Sequence, residues 1–150
     1  MGKVGMSVLT KGLAMDWMRE GKTDMAITSL WPAAAIRSAA TRNVSEEERA
    51  ELRKPTIFSV AIQKIIEKPT SEVNGELVTD EDFLREKCGF TDAGIERFSL
   101  VEGGKPRRIM PKRFPPLEVE EQDDEGRLKD SHEDESAVAR SRMKMTQSKL

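Results

Sequence analysis

The stretch Met25-Ala26-Ile27-Thr28-Ser29-Leu30-Trp31-Pro32 decides how this chain is read. Met25 to Leu30 is short, biased toward apolar residues and closed by Trp31-Pro32. That predicts a brief buried strand, because a proline at its end cannot donate to a ladder. Before it lies the best helix of the sequence, Val4 to Arg19. Met6, Leu9, Leu13 and Trp17 form one apolar stripe on it, and Val4, Val8, Met15 and Met18 form a second. Apolar residues on both sides predict a helix held between two partners, with Gly21 as its stop.

Beyond the strand, Ala33 to Thr41 is rich in small residues and reads as a tightly packed helix or a loop-helix. Ser45 followed by Glu48 is a capping box, with Ser45 as N-cap and Glu48 at the third helical position. Pro55 suits the first turn of a further helix, whose face carries Ile57, Phe58, Ala61, Ile62, Ile65 and Ile66 until Pro69 stops it. Asn74-Gly75 is a turn, Glu76 to Thr79 a strand, and Asp80 to Lys87 a short helix opened by acids. Helix, strand, helices, strand is the order of an α/β domain with a parallel sheet and crossover helices. Two parallel strands alone do not make a sheet covered on both faces, so the pattern reads as half of such a domain.

Composition narrows the function classes. The chain has 150 residues, a formal net charge of −2, 35% charged and 37% hydrophobic residues, and no tyrosine. No apolar run approaches the length of a bilayer span, so no membrane span is expected. No charged segment followed by an apolar stretch opens the sequence, which argues against secretion. Cys88 alone cannot form an intramolecular disulfide, and no Cys/His set has zinc-ligand spacing. With no base nearby in sequence, Cys88 reads as a structural thiol. The near-neutral charge, and the lack of aromatic residues among Arg107, Arg108, Lys112 and Arg113, argue against nucleic acid as a partner.

Composition changes at Gly103-Gly104-Lys105-Pro106. Between Glu118 and Glu135 carboxylates dominate, with only Arg127 and Lys129 against them. Such a segment buries too little apolar surface to offset its ordering entropy, so residues 103–150 are expected to be a largely disordered tail after a domain spanning 1–102. His132 among its acidic neighbours reads as solvated charge, not a metal site.

Six short motifs occur in order: Lys3-Val4-Gly5-Met6-Ser7, Ala26-Ile27, Leu30-Trp31-Pro32, Ala34 to Ala40, Arg53-Lys54-Pro55 and Asp80-Glu81-Asp82-Phe83-Leu84-Arg85-Glu86. Together they resemble the C-terminal half of a short-chain dehydrogenase/reductase, and within that family the hydroxysteroid dehydrogenase-like subgroup. Thr28-Ser29 departs from its usual Asn-Ala before Leu-Trp-Pro. The resemblance implies the C-terminal half of a Rossmann-type doubly wound parallel sheet, NAD or NADP as cofactor, and oxidoreductase chemistry. In that family a Tyr-x-x-x-Lys pair on this helix does the proton transfer, the lysine binding the nicotinamide ribose and favouring the tyrosinate. Lys3 matches the lysine. The tyrosine position falls ahead of Met1, as do the glycine-rich phosphate loop and the other catalytic residues, which implies a truncated and inactive chain with Met1 an internal methionine. Pro32, Ile36 and Ser38 match positions lining the nicotinamide carboxamide and the phosphate side.

The sequence ends in Ser148-Lys149-Leu150, an address for the peroxisomal matrix, which implies a peroxisomal import receptor as partner. Two functional expectations follow. One is a truncated NAD(P)-dependent oxidoreductase. The other is a non-catalytic protein that pairs with a full-length relative through the helix at 4–19, since the resemblance implies dimer packing there.

Overall fold

The computed structural model describes residues 2–115. A helix α1 (Gly2–Arg19) leads to a strand β1 (Ser29–Trp31), and a single 3-10 turn follows at Ala39–Thr41. Then come α2 (Glu46–Ala50), α3 (Thr56–Ile66), α4 (Thr70–Val73), β2 (Leu77–Thr79), α5 (Asp80–Cys88) and α6 (Asp92–Glu96). The strands pair in parallel, Ser29 with Leu77, Leu30 with Val78 and Trp31 with Thr79. The architecture is the expected α/β arrangement around a two-stranded parallel sheet.

β1 shows how alternation sorts its surroundings. Successive side chains of a strand point to opposite faces. Ser29 and Trp31 reach α1, where Ser29 Oγ lies 2.8 Å from Thr10 Oγ1 and Trp31 Nε1–H donates to Ser7 Oγ at 3.0 Å. Leu30 turns the other way and packs against the core formed by Ile57 and Ala61 of α3, Leu84 of α5 and Ile95 of α6. Ile36, Phe58, Phe90 and Phe98 close around that cluster. α3 is amphipathic as its spacing predicts, with Ile57 and Ala61 fully buried and Ile62 and Ile66 outside.

The capping box forms: Ser45 N–H donates to Glu48 Oε2 at 2.7 Å, and Glu48 N–H to Ser45 Oγ at 3.2 Å. α5 starts on a Thr79 cap, whose hydroxyl faces the Asp82 N–H at 3.4 Å, and carries Asp80, Glu81 and Asp82 in its first turn. Acids there meet the positive end of the helix dipole. The turn before β2 requires Gly75, which has φ +76°. A β-carbon there would stand 3.0 Å from that of Ala14.

Two expectations need correction, and a third resolves between its alternatives. The first strand begins at Ser29, not Met25. Residues 27 and 28 are tied to the turn before β2 by side chains: Ile27 N–H donates to Asn74 Oδ1 at 3.1 Å and Thr28 Oγ1 to the Val73 carbonyl at 2.6 Å. The stretch 33–41 takes the second of its two expected forms, a loop that ends in a helical turn. It runs extended, with bridges from Ala34 to Arg108 and from Ile36 to Arg53, and only its last residues turn. Its alanines are small because Ala33 and Ala34 are buried against other backbone.

α1, finally, is not held between two partners among the described residues. Its covered face is Ser7, Thr10 and Ala14, while Val4, Met6, Leu9 and Met18 are 58, 66, 57 and 65% exposed. Small and hydroxylated residues let the helix approach and hydrogen-bond β1, which leaves the stripe residues Val4, Met6, Leu9 and Met18 outward while Leu13, Met15 and Trp17 are half-buried.

The packed body continues past residue 102. A β-carbon on Gly104 would fall 2.6 Å from the Ala50 carbonyl oxygen, so only glycine fits there. Ile109 N–H donates to the Ala33 carbonyl at 2.8 Å, and the Phe114 ring sits 6.2 Å from that of Trp31. The expected disordered tail from 116 onward, its acidic run, His132 and Ser148-Lys149-Leu150 lie outside the described residues. No helix among the described residues is long and apolar enough to cross a membrane.

Candidate functional site

The segment that leaves the carboxyl end of β1 is held from three sides. Asp80 Oδ1 accepts the Ala33 N–H at 2.8 Å and the Glu81 N–H at 2.8 Å. Arg53 exchanges backbone bonds with the segment: Arg37 N–H donates to the Arg53 carbonyl at 2.9 Å, and Arg53 N–H to the Ala35 carbonyl at 2.8 Å. From the other side, Ala33 receives Ile109.

Arg53 is itself anchored in the interior. Its Nε–H donates to Glu81 Oε1 at 2.8 Å, and its Nη1–H to Ser99 Oγ at 2.9 Å and to the Ile95 carbonyl at 3.2 Å. Arg85 covers the second Glu81 oxygen at 2.8 Å and reaches Asp92 at 3.0 Å. Arg108 forks onto Asp82, with Nη1 at 2.9 Å from Oδ1. Buried pairs of this kind add little net stability, but they fix position, because neither charge can be left alone. The Arg53-Lys54-Pro55 and Asp80-Glu81-Asp82 motifs are thus the clamp that shapes residues 32–38.

Asp80 is the most perturbed group. It is completely buried, and its Oδ2 has no hydrogen-bond partner among the described residues. Burial pushes its carboxyl up to about 6, against the two backbone N–H donors, which hold it down. By contrast, the Asp82 carboxyl lies below its usual value: burial raises it, but Arg108 and the Thr79 hydroxyl outweigh that. Cys88 is half-buried against the core, and burial raises its thiol, in keeping with a structural role.

The four residues expected to mark a cofactor site lie as follows. Pro32 and Ile36 are half-buried in the clamped segment, and Ser38 is exposed where the 3-10 turn begins, its N–H donating to Thr41 Oγ1 at 2.8 Å. Lys3 is exposed on the first turn of α1. The contacts Ser7 to Trp31 and Thr10 to Ser29 show that α1 runs antiparallel to β1. Lys3 stands one turn before Ser7 on the same helix face, so it lies toward the carboxyl end of β1, where Pro32 follows. In the sequence, the only signal of Asp80 and Arg53 is an acid at the start of α5 and a base just ahead of α3. Among the described residues no cluster of His, Cys, Asp and Glu could hold a metal ion.

No family model matches the chain. Individual relatives do. The chain is 34% identical over 117 residues to hydroxysteroid dehydrogenase-like protein 2 of Danio rerio, covering 76% of this chain and 25% of the relative. It is 33% identical over 109 residues to the protein of that name in Homo sapiens, covering 71% and 23%, and 28% identical over 115 residues to that of Rattus norvegicus, covering 76% and 20%. The chain thus spans about a quarter of the length of the curated relatives it matches. Over roughly three-quarters of its own length, the chain is similar to the hydroxysteroid dehydrogenase-like proteins, which supports a short-chain dehydrogenase/reductase-like family relationship.

Proposed function

We propose that this chain forms one wall of the nicotinamide end of an NAD(P)-dependent oxidoreductase of the short-chain dehydrogenase/reductase type, and that alone it does not turn over substrate. The observation that carries this reading is the antiparallel run of α1 along β1, with Lys3 on the side of the strand end from which Pro32 to Ser38 depart. In open α/β sheets ligands bind beyond the carboxyl ends of the strands.

The residues present fit part of a nicotinamide nucleotide: an exposed ammonium, a serine at a backbone turn, and two half-buried apolar residues in a clamped segment. Lys3 would hold the ribose, Pro32 and Ile36 would line the carboxamide, and Ser38 would face the phosphate side. The bound nicotinamide would supply or accept the hydride. The clamp by Asp80 and Arg53 keeps the segment from relaxing when a ligand binds, so positioning costs little at that moment.

The chain contains no tyrosine, so the tyrosine of the pair would have to come from elsewhere. The test is to titrate NADPH into the chain alone, and then into the chain mixed with the preceding region of a hydroxysteroid dehydrogenase-like relative. Carbonyl reduction only in the mixture, and lost with Lys3→Ala, is expected. Turnover by the chain alone would contradict the reading.

A second reading, pairing with a full-length relative, is favoured by the exposed apolar residues of α1. Failure of such a relative to co-purify with the chain would remove it. We also propose peroxisomal import through Ser148-Lys149-Leu150, read by an import receptor when it is the free C-terminus. A fluorescent fusion at the N-terminus that stays cytosolic would refute this.

A further inference from the structure

A cavity of about 330 Å³ opens beside the turn that follows Ser38. Arg37, Arg42 and Arg49 form its polar wall, and Val44, Leu52 and Leu100 contribute to an apolar one. No carboxylate is among its lining residues. The acids of the neighbouring α2 are mostly engaged elsewhere: Glu48 accepts from Ser45 N–H at 2.7 Å, and Glu51 lies 3.7 Å from Arg107. Only Glu46 reaches the wall, as an exposed pair with Arg49 at 3.6 Å, a contact that water screens. Arg37 and Arg42 have no ion-pair partner among the described residues.

The wall is also built on a fixed base. Arg37 N–H is bonded to the Arg53 carbonyl, and Arg53 is locked into the buried Glu81 pair. Three guanidinium groups gathered at one cavity repel one another until an anion enters. Their planar donors match the two or three oxygens of a carboxylate or phosphate, and the cavity lies at the lower end of the size range of small-molecule sites.

We infer that this cavity binds an amphipathic organic anion. Its carboxylate or phosphate head lies on Arg37, Arg42 and Arg49, and its hydrocarbon body on Val44, Leu52 and Leu100. Ser38, set by the proposed function on the cofactor's phosphate side, also lines the cavity, so in the oxidoreductase reading such a ligand is a carbonyl substrate whose anionic group lies next to the cofactor. That assignment rests on the proposed function, whereas the binding itself does not.

The test uses the full chain and no cofactor chemistry. Octyl phosphate and octanoate are titrated by calorimetry and by amide NMR, with octanol and inorganic phosphate as controls and NADPH as the alternative source of phosphate. Saturable binding of at least one of the two octyl anions is expected, with shifts centred on residues 37–44 and weakening as salt rises. Arg42→Glu and Arg49→Glu should each weaken it by about tenfold or more, while Arg42→Lys retains most of it; circular dichroism verifies that each variant folds. Equal binding of octanol, no saturation, indifference to the arginine replacements, or binding of NADPH where both octyl anions fail would each overturn the inference. Loss of anion binding in a mixture that still reduces carbonyls would sink this inference and spare the proposed function.

Discussion

On the Leu30 side of β1 the chain completes a core: Ile57, Ala61, Leu84 and Ile95 are fully buried, with aromatic residues closing around them. On the Ser29 and Trp31 side it lays down α1 through serine, threonine and alanine, and leaves Val4, Met6, Leu9 and Met18 of that helix in solvent. Both sides come from apolar helices of similar promise in the sequence. The difference is that α3 meets two further helices, α5 and α6, whereas among the described residues α1 packs chiefly on a three-residue strand and the turn before β2. A helix packed mainly on a short strand uses small residues for contact, and Val4, Met6, Leu9 and Met18 then stand exposed among the described residues.

Four variants probe this contrast, in descending order of expected effect. Glu81→Gln removes the buried counter-charge of Arg53 and is expected to cost about 3–5 kcal/mol. Chemical denaturation measures it, and a loss below about 1 kcal/mol would mean that the clamp is dispensable. Leu84→Ala leaves a cavity in the finished core and should cost about 2–5 kcal/mol.

Asp80→Asn tests the buried carboxyl. Its folded value, about 6, lies above the ordinary aspartate value of about 3.9, so the folded chain holds a proton that the unfolded chain has released. Stability from this group is therefore lost as pH rises between those values. At neutral pH the loss amounts to about 3 kcal/mol, as an upper figure. The asparagine variant keeps the acceptor for Ala33 and should be the more stable protein at pH 7. Its advantage should vanish near pH 4; an advantage independent of pH would contradict the assignment. Met6→Gln with Leu9→Gln on the open face of α1 should change stability by no more than about 0.5 kcal/mol. A larger loss would mean that the face is covered.

Much of this was legible in the sequence where a local rule suffices. The Ser45–Glu48 box, the acid-opened α5 and the apolar face of α3 depend on residues a few positions apart, and each forms. The parallel pairing of two strands followed from element order. What escaped were features set by distant partners. Asn74 and Val73 take up the polar groups of residues 27 and 28, so the ladder begins late. Arg53 and Ile109 draw the alanine-rich segment into extended form against its helix propensity. Stripes on α1 indicate apolar faces but not whether anything covers them, and the acidic tail hid how far Arg108 and Phe114 carry the packed body. For the site, Pro32, Ile36, Ser38 and Lys3 could be quoted from a resemblance. The clamp that holds three of them could not, because nothing in the spacing of Arg53, Asp80 and Glu81 says that they meet.

Native-state hydrogen exchange on the chain tests the contrast between the two sides of β1 most directly, since it resolves opening residue by residue. Amides of α3 and α5 around Ile57, Ala61 and Leu84 should exchange only with global unfolding. Those in α1 should open locally and exchange at least about tenfold faster, which corresponds to about 1.4 kcal/mol. Equal protection of α1 and α3 would contradict the account, for it would mean that the helix is as fully supported as the core.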